Sequence, residues 1–128
     1  MIHLDTHVVL WLYDNKRELF PTVAREAIEE HDLFVSPMVL LELEYLHEVG
    51  RIKIPGSVIV EDLAARIGLR ISKTSFENVV TYARKCTWTR DPFDRLIASN
   101  AVADGCRLVS ADRTILANCA HAIWEQAW

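Results

Sequence analysis

The sequence predicts an α/β domain with a mainly parallel sheet, and three observations support this fold class. Short apolar runs recur along the whole chain, and longer helix-like segments separate them. Pro, Ser or Asp precedes several of the longer segments, as is usual where helices begin. The composition, 51% hydrophobic and 25% charged residues in a chain of 128, suits one packed core. Strands joined through helices run parallel, and helices cover both faces of such a sheet.

The individual elements follow from these runs in chain order. The predicted strands are Ile2–Leu4, Leu33–Val35, 69–72, Arg107–Val109 and 122–125. The predicted helices begin at Thr6, Pro21, Ser36-Pro37, Val58, Ser75 and Asp91-Pro92, and a short one follows Asp112. Gly50 and Gly105 end two of these helices, and Pro-Gly-Ser at 55–57 reads as a turn. No repeat or linker interrupts the pattern, so residues 1–128 are predicted to form a single domain.

The charge balance and the cysteines exclude several classes of protein. A formal net charge of −4 argues against binding nucleic acid through a basic surface alone. The three cysteines form no C-x-x-C pair, which argues against a zinc or redox motif and favours buried, reduced thiols. The N-terminus lacks a basic region, and the longest apolar run, residues 8–13, is far shorter than the ~20 residues that span a bilayer. We therefore expect a soluble, cytoplasmic protein without a membrane partner.

Two acidic residues directly follow predicted strands. Asp5 comes after the first strand, and Asp112 comes shortly after the fourth, in Ser110-Ala111-Asp112. Open α/β sheets place their sites beyond the carboxyl ends of the strands, so both acids are predicted at the same edge. Each alone is also explained by helix capping, for which Asp is a preferred residue.

Two further acids interrupt apolar helix faces. Glu42 is flanked at helical spacing by Met38, Val39, Tyr45, Leu46 and Val49, whereas Glu44 and Glu48 lie on the polar face. Asp94 shares its face with the apolar Ile97, Ala98 and Ala101. A buried carboxylate needs a cation, a metal or a proton. Capping explains Asp91 well, as the residue before Pro92, and explains Asp94 less well.

The set Asp5, Glu42, Asp94 and Asp112 is therefore a candidate metal site. Carboxylates brought together repel one another, and Mg²⁺ or Mn²⁺, which prefers oxygen ligands, resolves this repulsion. Four carboxylates serve either one ion or two, and the sequence leaves the number open. Such ions activate water and stabilise a leaving oxygen, which suits hydrolysis of a phosphodiester. His3 and His7, which flank Asp5, show no metal-ligand spacing and are assigned surface or packing roles.

These segments resemble the PIN-domain ribonucleases, specifically the VapC-type toxins of bacterial type II toxin–antitoxin pairs. The matching segments are Leu4-Asp5-Thr6-His7, Val39-Leu40-Leu41-Glu42-Leu43, Asp91-Pro92-Phe93-Asp94-Arg95-Leu96-Ile97-Ala98 and Leu108-Val109-Ser110-Ala111-Asp112-Arg113. Their order spans nearly the whole chain, and the segment at 91–98 is the most diagnostic. The resemblance implies a PIN-like three-layer domain with a mainly parallel sheet of short strands flanked by helices.

The resemblance also implies an activity, a site and partners. The activity is that of a metal-dependent endoribonuclease acting on single-stranded regions of RNA, with Asp5, Glu42, Asp94 and Asp112 as the catalytic, metal-holding acids. Thr6 and Ser110 match small hydroxyl positions beside those acids, and Asp91 is an additional acid kept as a cap or outer-sphere residue. The expected partners are a VapB-type antitoxin, whose C-terminal segment would enter the acidic groove, and a second copy of the chain in a homodimer.

Four residues near the matching segments keep open roles. Relatives often carry a His shortly before the segment at 91, where this chain has Trp88-Thr89-Arg90. Trp88 and Arg90 are candidates for stacking on RNA and for a phosphate contact, against packing and solvation as the alternative. Arg95 and Arg113 each follow a site acid and either steady the carboxylates or contact phosphate.

Three other functions compete with that of a ribonuclease. A haloacid-dehalogenase-like phosphatase needs a second acid two residues after the first, where this chain has His7. A response-regulator receiver needs an acceptor Asp after a central strand, and residues 33–35 and 69–72 end without one. A non-catalytic PIN-like module that binds RNA or protein is the remaining alternative, and its usual signature is the loss of acids.

Overall fold

The structure, a computed structural model, describes residues 1–125. Within this range the chain forms five strands, seven α-helices and one 3₁₀ turn. The strands are β1 (Ile2–Leu4), β2 (Leu33–Val35), β3 (Arg70–Ile71), β4 (Arg107–Val109) and β5 (Ala122–Ile123). The helices are α1 (Thr6–Tyr13), α2 (Thr22–Glu30), α3 (Pro37–Glu48), α4 (Gly56–Ile67), α5 (Phe76–Ala83), α6 (Pro92–Ala103) and α7 (Arg113–Asn118). Residues 126–128, which the single-domain prediction includes, lie outside the described residues.

The strands form one parallel sheet in the order β3-β2-β1-β4-β5. The α/β fold class and the parallel sheet are therefore confirmed. From β1 the chain first moves one way across the sheet, to β2 and β3, and later returns to β4 and β5 on the other side. Because such crossovers are right-handed, the reversal places α1–α4 on one face and α5–α7 on the other.

The core lies between the sheet and these helices. Its fully buried members include Ile2 and Leu4 of β1, Leu108 of β4 and Ile97 of α6. Ser36, Ser75 and Asp91 cap α3, α5 and α6 through their side chains, as the preference of these residue types for helix starts predicts. No helix within residues 1–125 combines the length and the apolar character needed to cross a bilayer.

The prediction of a turn at 55–57 was wrong. Gly56 and Ser57 already belong to α4, and Pro55 is its N-cap. A Cβ on Gly56 would lie 2.8 Å from the Cβ of Leu43 in α3, so glycine is required here by the close approach of two helices rather than by a turn.

Smaller differences concern the edges of the sheet and one loop. The strands predicted at 69–72 and 122–125 are shorter, because each lies at an edge and pairs with a single neighbour that itself ends early. The helix predicted at 75–85 ends at Ala83. The 3₁₀ turn at Arg17–Leu19 was not predicted, since its residues carry neither an apolar period nor a Gly-Pro signal.

Candidate active site

The candidate site lies where the direction of the chain across the sheet reverses. Asp5 follows β1 and Asp112 follows β4, and these parallel strands are neighbours in register from Ile2 with Arg107 to Leu4 with Val109. Both acids therefore stand at the same carboxyl edge, as predicted. The crevice at such a reversal is where open α/β sheets bind ligands.

Asp5 is the buried member of the site, with 6% of its surface exposed. One carboxylate oxygen caps α1 by accepting the backbone N–H of Thr6 at 2.8 Å, and the other accepts the Ser110 hydroxyl at 2.6 Å. Burial raises the pKa of Asp5, and its two hydrogen bonds and the charge of His7 oppose that rise. The carboxylate is thus fixed in position by α1 and by the loop after β4.

Glu42 reaches the site from α3. Its Oε1 accepts the hydroxyl of Thr6 at 2.5 Å, so Thr6 alone contacts both carboxylates, that of Asp5 through its N–H and that of Glu42 through its hydroxyl. Burial raises the pKa of Glu42, the Thr6 bond lowers it, and repulsion from Asp5 raises it further. The helix face around Glu42 is less buried than predicted, since Tyr45 and Val49 are 47% and 52% exposed. Glu42 stands at the rim of the core rather than within it.

Asp94 lies in the first turn of α6, among the other acids of the site. Burial, followed by repulsion from Asp5, Asp91, Asp112 and Glu42, raises its pKa from 3.8 to about 7. Its carboxylate accepts no hydrogen bond from residues 1–125. The ring of the adjacent Phe93 contacts Tyr45 at 5.8 Å between centroids, which joins α6 to α3 beside Glu42.

Asp91 and Asp112 are helix caps, and both are exposed. Oδ1 of Asp91 accepts the N–H groups of Phe93 and Asp94. Oδ1 of Asp112 accepts those of Thr114 and Ile115. Among residues 1–125, no hydrogen bond uses the second oxygen of either carboxylate. Capping therefore leaves one oxygen of each acid able to bind a cation.

The remaining predicted residues are distributed differently. Arg95 donates from Nε to the carbonyl of Ala83 at 2.8 Å, so it joins α6 to α5 and is not bonded to a site acid. Trp88 is half-buried and packs against the core, which favours the packing role over stacking on RNA. Arg90 and Arg113 are exposed.

A buried polar network at the other end of α6 was missed. His3, with no exposed surface, bonds through Nε2 to Oδ2 of Asp104 at 2.6 Å. Asp104 also accepts the hydroxyls of Ser72 and Thr74. The sequence predicts a surface or packing role for His3, because nothing in its neighbourhood points to a carboxylate 101 positions away.

The donor set suits a hard divalent cation, although it is not compact. All candidate ligands are carboxylate oxygens, which Mg²⁺ and Mn²⁺ prefer, and their mutual repulsion is the force that a cation relieves. Within residues 1–125, no three His, Cys, Asp or Glu side chains are grouped so that they could hold one metal ion. A Mg²⁺ ion that keeps several waters needs only one or two of these carboxylates, so the acids fit such an ion.

The chain is similar to known proteins over almost its entire length. A family model described as PIN domain matches residues 2–121. Ribonuclease VapC22 of Mycobacterium tuberculosis (strain ATCC 25618 / H37Rv) is 31% identical over 115 residues, which cover 88% of this chain and 87% of that protein. The crystal structure of VapBC2 from Rickettsia felis bound to a DNA fragment from their promoter aligns with a TM-score of 0.68. It covers 97% of this chain and 99% of the other at 20% identity, and this likeness shows the fold alone.

Proposed function

Because the chain belongs to the PIN domain family, as its sequence motifs predicted, we propose that it is a metal-dependent endoribonuclease, the toxin of a type II toxin–antitoxin pair. One observation carries this proposal. Carboxylates from separate elements of the fold meet at the carboxyl edge, where burial first and their mutual repulsion second raise the pKa of Asp94 to about 7. Such repulsion lowers the stability of a folded protein unless a bound cation neutralises the negative charges.

The proposed ligands of Mg²⁺ or Mn²⁺, as one ion or two, are Asp5, Glu42, Asp94 and Asp112. When bound, the ion supplies an acidified attacking water and neutralises charge on the phosphate oxygens. The hydroxyls of Thr6 and Ser110 hold the carboxylates of Glu42 and Asp5 in fixed orientations. Without a cation, Asp94 keeps a proton on part of the molecules near neutral pH, and cation binding competes with that proton.

The proposal extends to partners and location. By likeness to its relatives, the chain is proposed to pair with a VapB-type antitoxin, to form a homodimer and to act in the cytoplasm. An antitoxin segment carrying an Arg would suit the acidic edge, because a guanidinium pairs with carboxylates in a bidentate manner.

The test is metal-dependent cleavage of total RNA by the antitoxin-free chain. We expect cleavage in Mg²⁺ or Mn²⁺ and none in EDTA. Glu42→Gln and Asp94→Asn should each lower the rate by at least about a hundredfold. Glu48→Gln is the matched control, because Glu48 lies exposed on the same helix as Glu42. This variant should cleave RNA at the rate of the wild type.

Two outcomes would contradict the proposal. Undiminished cleavage by Asp94→Asn would remove that residue from the site. No cleavage by folded, metal-loaded wild type would favour the alternative of a non-catalytic PIN-like module that binds RNA or protein.

A further inference from the structure

A cavity of about 480 Å³ lies at the far end of α1 from the acids. It is enclosed by the end of α1, the 3₁₀ turn, α2 and the end of α4, and the first residue of β2 also lines it. Because α1 starts at the carboxyl edge and spans eight residues, about 12 Å of helix separate the cavity from Asp5.

The cavity is positively charged although the chain as a whole is acidic. Lys16, Arg17 and Arg25 line it, are exposed and form no ion pair within residues 1–125. Arg66 also lines it but is paired with Asp62 at 2.6 Å. Glu29 is the only acid among its lining residues in the described part of the chain. In a protein with a net charge of −4, three cations without an ion pair on one cavity favour an anionic ligand, although Arg25 also donates to the carbonyl of Phe20 at 3.4 Å.

Aromatic rings connect the acids with this cavity. His7 is exposed in the first turn of α1, two residues after Asp5. One turn later Trp11 contacts the His7 ring at 6.2 Å between centroids and lines the cavity. Trp11 in turn meets the edge of Phe20, another lining residue, at 6.2 Å.

A ligand that carries both phosphates and bases would suit the cations of the cavity and the aromatic rings that lead to it. Single-stranded nucleic acids bind to proteins through cations along the backbone and through aromatic side chains on which the bases stack. An acidic peptide would satisfy the cations but would leave the exposed His7 ring, beside the carboxylates, without a favourable partner. A nucleotide strand is therefore favoured, because carboxylates lie at the start of α1, rings lie along it, and cations follow its end.

We propose that single-stranded RNA bound at the acids continues along α1, stacks a base on His7, and places its flanking phosphates against Lys16, Arg17 and Arg25. This inference rests on the proposed function and names the substrate-binding track of the same site. The track makes the enzyme depend on nucleotides beyond the cleaved bond, on one side of it.

The first test measures binding without cleavage. A fluorescein-labelled oligouridylate of about 12 nucleotides is titrated with the full chain in EDTA at several salt concentrations. The double variant Arg17→Glu/Arg25→Glu should bind about tenfold more weakly or worse. Its slope of log affinity against log salt should be shallower by about 1.4, since each lost contact to a single strand removes about 0.7.

The matched control is Lys53→Glu/Arg84→Glu. Both residues are exposed, neither lines the cavity, and the change in net charge is the same. This control should bind with nearly the affinity and slope of the wild type. Equal weakening in both double variants would mean that net charge alone sets the affinity, and would overturn the track.

The second test concerns the stacking position. His7→Ala should weaken oligouridylate binding about tenfold, and His7→Phe should restore most of it, because a phenyl ring keeps the stacking surface. Equal losses in His7→Phe and His7→Ala would contradict a stacking role.

Cleavage assays separate this inference from the proposed function. Metal-dependent cleavage by the wild type, with oligouridylate binding unchanged in Arg17→Glu/Arg25→Glu, would overturn the track and leave the ribonuclease standing. The cavity would then be assigned to a protein partner. Specific loss of binding in that variant, together with no cleavage by the wild type, would support the track and count against the ribonuclease.

Discussion

At the scale of single residues, two hydroxyl groups organise the acidic edge. Thr6 donates to Glu42 and Ser110 donates to Asp5, while the N–H of Asp112 donates to the Ser110 oxygen at 3.1 Å. These bonds oppose the burial that raises the pKa values of both carboxyl groups. The small residues beside the acids therefore help determine the pKa values of the carboxyl groups that are proposed to bind a cation.

The Thr6 hydroxyl offers a direct test of this organising role. Thr6→Val keeps the shape of the side chain but leaves Glu42 without its donor, so we expect cleavage about 10- to 100-fold slower and weaker metal binding. Thr6→Ser retains the hydroxyl and should remain close to wild type. Cleavage rates and Mg²⁺ titrations measure both effects, and wild-type behaviour of Thr6→Val would show that the bond is dispensable.

The raised pKa of Asp94 predicts how stability depends on pH in metal-free protein. Between pH 3.8 and about 7 the folded chain holds a proton on Asp94 that the unfolded chain has released. Stability therefore falls as pH rises through this window, and the loss is complete above about pH 7. Asp94→Asn cannot ionise, so in EDTA it should unfold at a higher temperature than the wild type at about pH 8.

Acidification supplies the control for this prediction. At about pH 4, where Asp94 is protonated in the folded wild type, the two proteins should unfold at similar temperatures. A difference in unfolding temperature that stays constant from acid to alkaline pH would contradict the assigned electrostatic cause.

The sequence identified the acids of the site, but it did not predict that two of them would cap a helix with one oxygen and leave the second open to a cation. The positions of Asp5, Glu42 and Asp94 stand out because they end a strand or interrupt an apolar face. Asp91 and Asp112 each cap a helix through one carboxylate oxygen and leave the other oxygen without a hydrogen bond from residues 1–125. This arrangement depends on side-chain orientation, which residue spacing does not encode. The sequence also did not predict a role for His7 and Trp11 together, because the contact between their rings matters only once the cavity beside Trp11 is known.

At the scale of elements, the close contact between α3 and α4 explains the misread turn. Gly56 is buried in the first turn of α4 and lies against Leu43, which has no exposed surface. Pro-Gly-Ser is a typical turn sequence, so local propensity and tertiary packing compete for the same residues, and packing decides. The central strands were predicted accurately because their apolar runs are short and sharply bounded.

Gly56→Ala tests this packing. The added methyl group would lie 2.8 Å from the Leu43 Cβ, a rigid atom in a filled core, so the helices must separate. We expect a loss of about 1–3 kcal/mol in the free energy of unfolding by urea. Ser57→Ala, at the exposed neighbouring position, is the control and should change stability little. Equal stability of Gly56→Ala and the wild type would mean that α4 shifts freely against α3.

At the scale of the whole molecule, α6 connects two polar centres with opposite electrostatics. Its first turn carries Asp94, where like charges meet and the pKa is raised. Beyond its last turn Asp104 accepts hydrogen bonds from β1 and from the loop after β3, namely from His3, Ser72 and Thr74. Burial raises the pKa of Asp104, but the hydrogen bonds from these donors outweigh it and lower the pKa. Burial lowers the pKa of His3, and the Nδ1 atom of His3 has no hydrogen-bond partner within residues 1–125.

The two centres therefore contribute to stability in opposite directions. The acidic edge costs free energy in the absence of a cation, whereas the Asp104 network joins β1, the loop after β3 and α6 in one arrangement. A site that stores repulsion needs such a fixed support, since the acids would otherwise separate. These hydrogen bonds tie the end of α6 to β1, the strand that Asp5 follows.

Removing the Asp104 carboxylate should weaken the whole fold. Asp104→Ala leaves the Ser72 and Thr74 hydroxyls and the His3 Nε2 without their acceptor, so we expect a loss of at least about 2 kcal/mol on urea unfolding at neutral pH.

Because the pKa of Asp104 is lowered in the folded state, its contribution is present above pH 3.8 and is lost as pH falls below that value. The difference between variant and wild type should therefore narrow in acid. Asp62→Ala, which removes only the exposed ion pair with Arg66, should leave unfolding almost unchanged. If both variants were equally stable, the support of the acidic edge would have to come from packing alone.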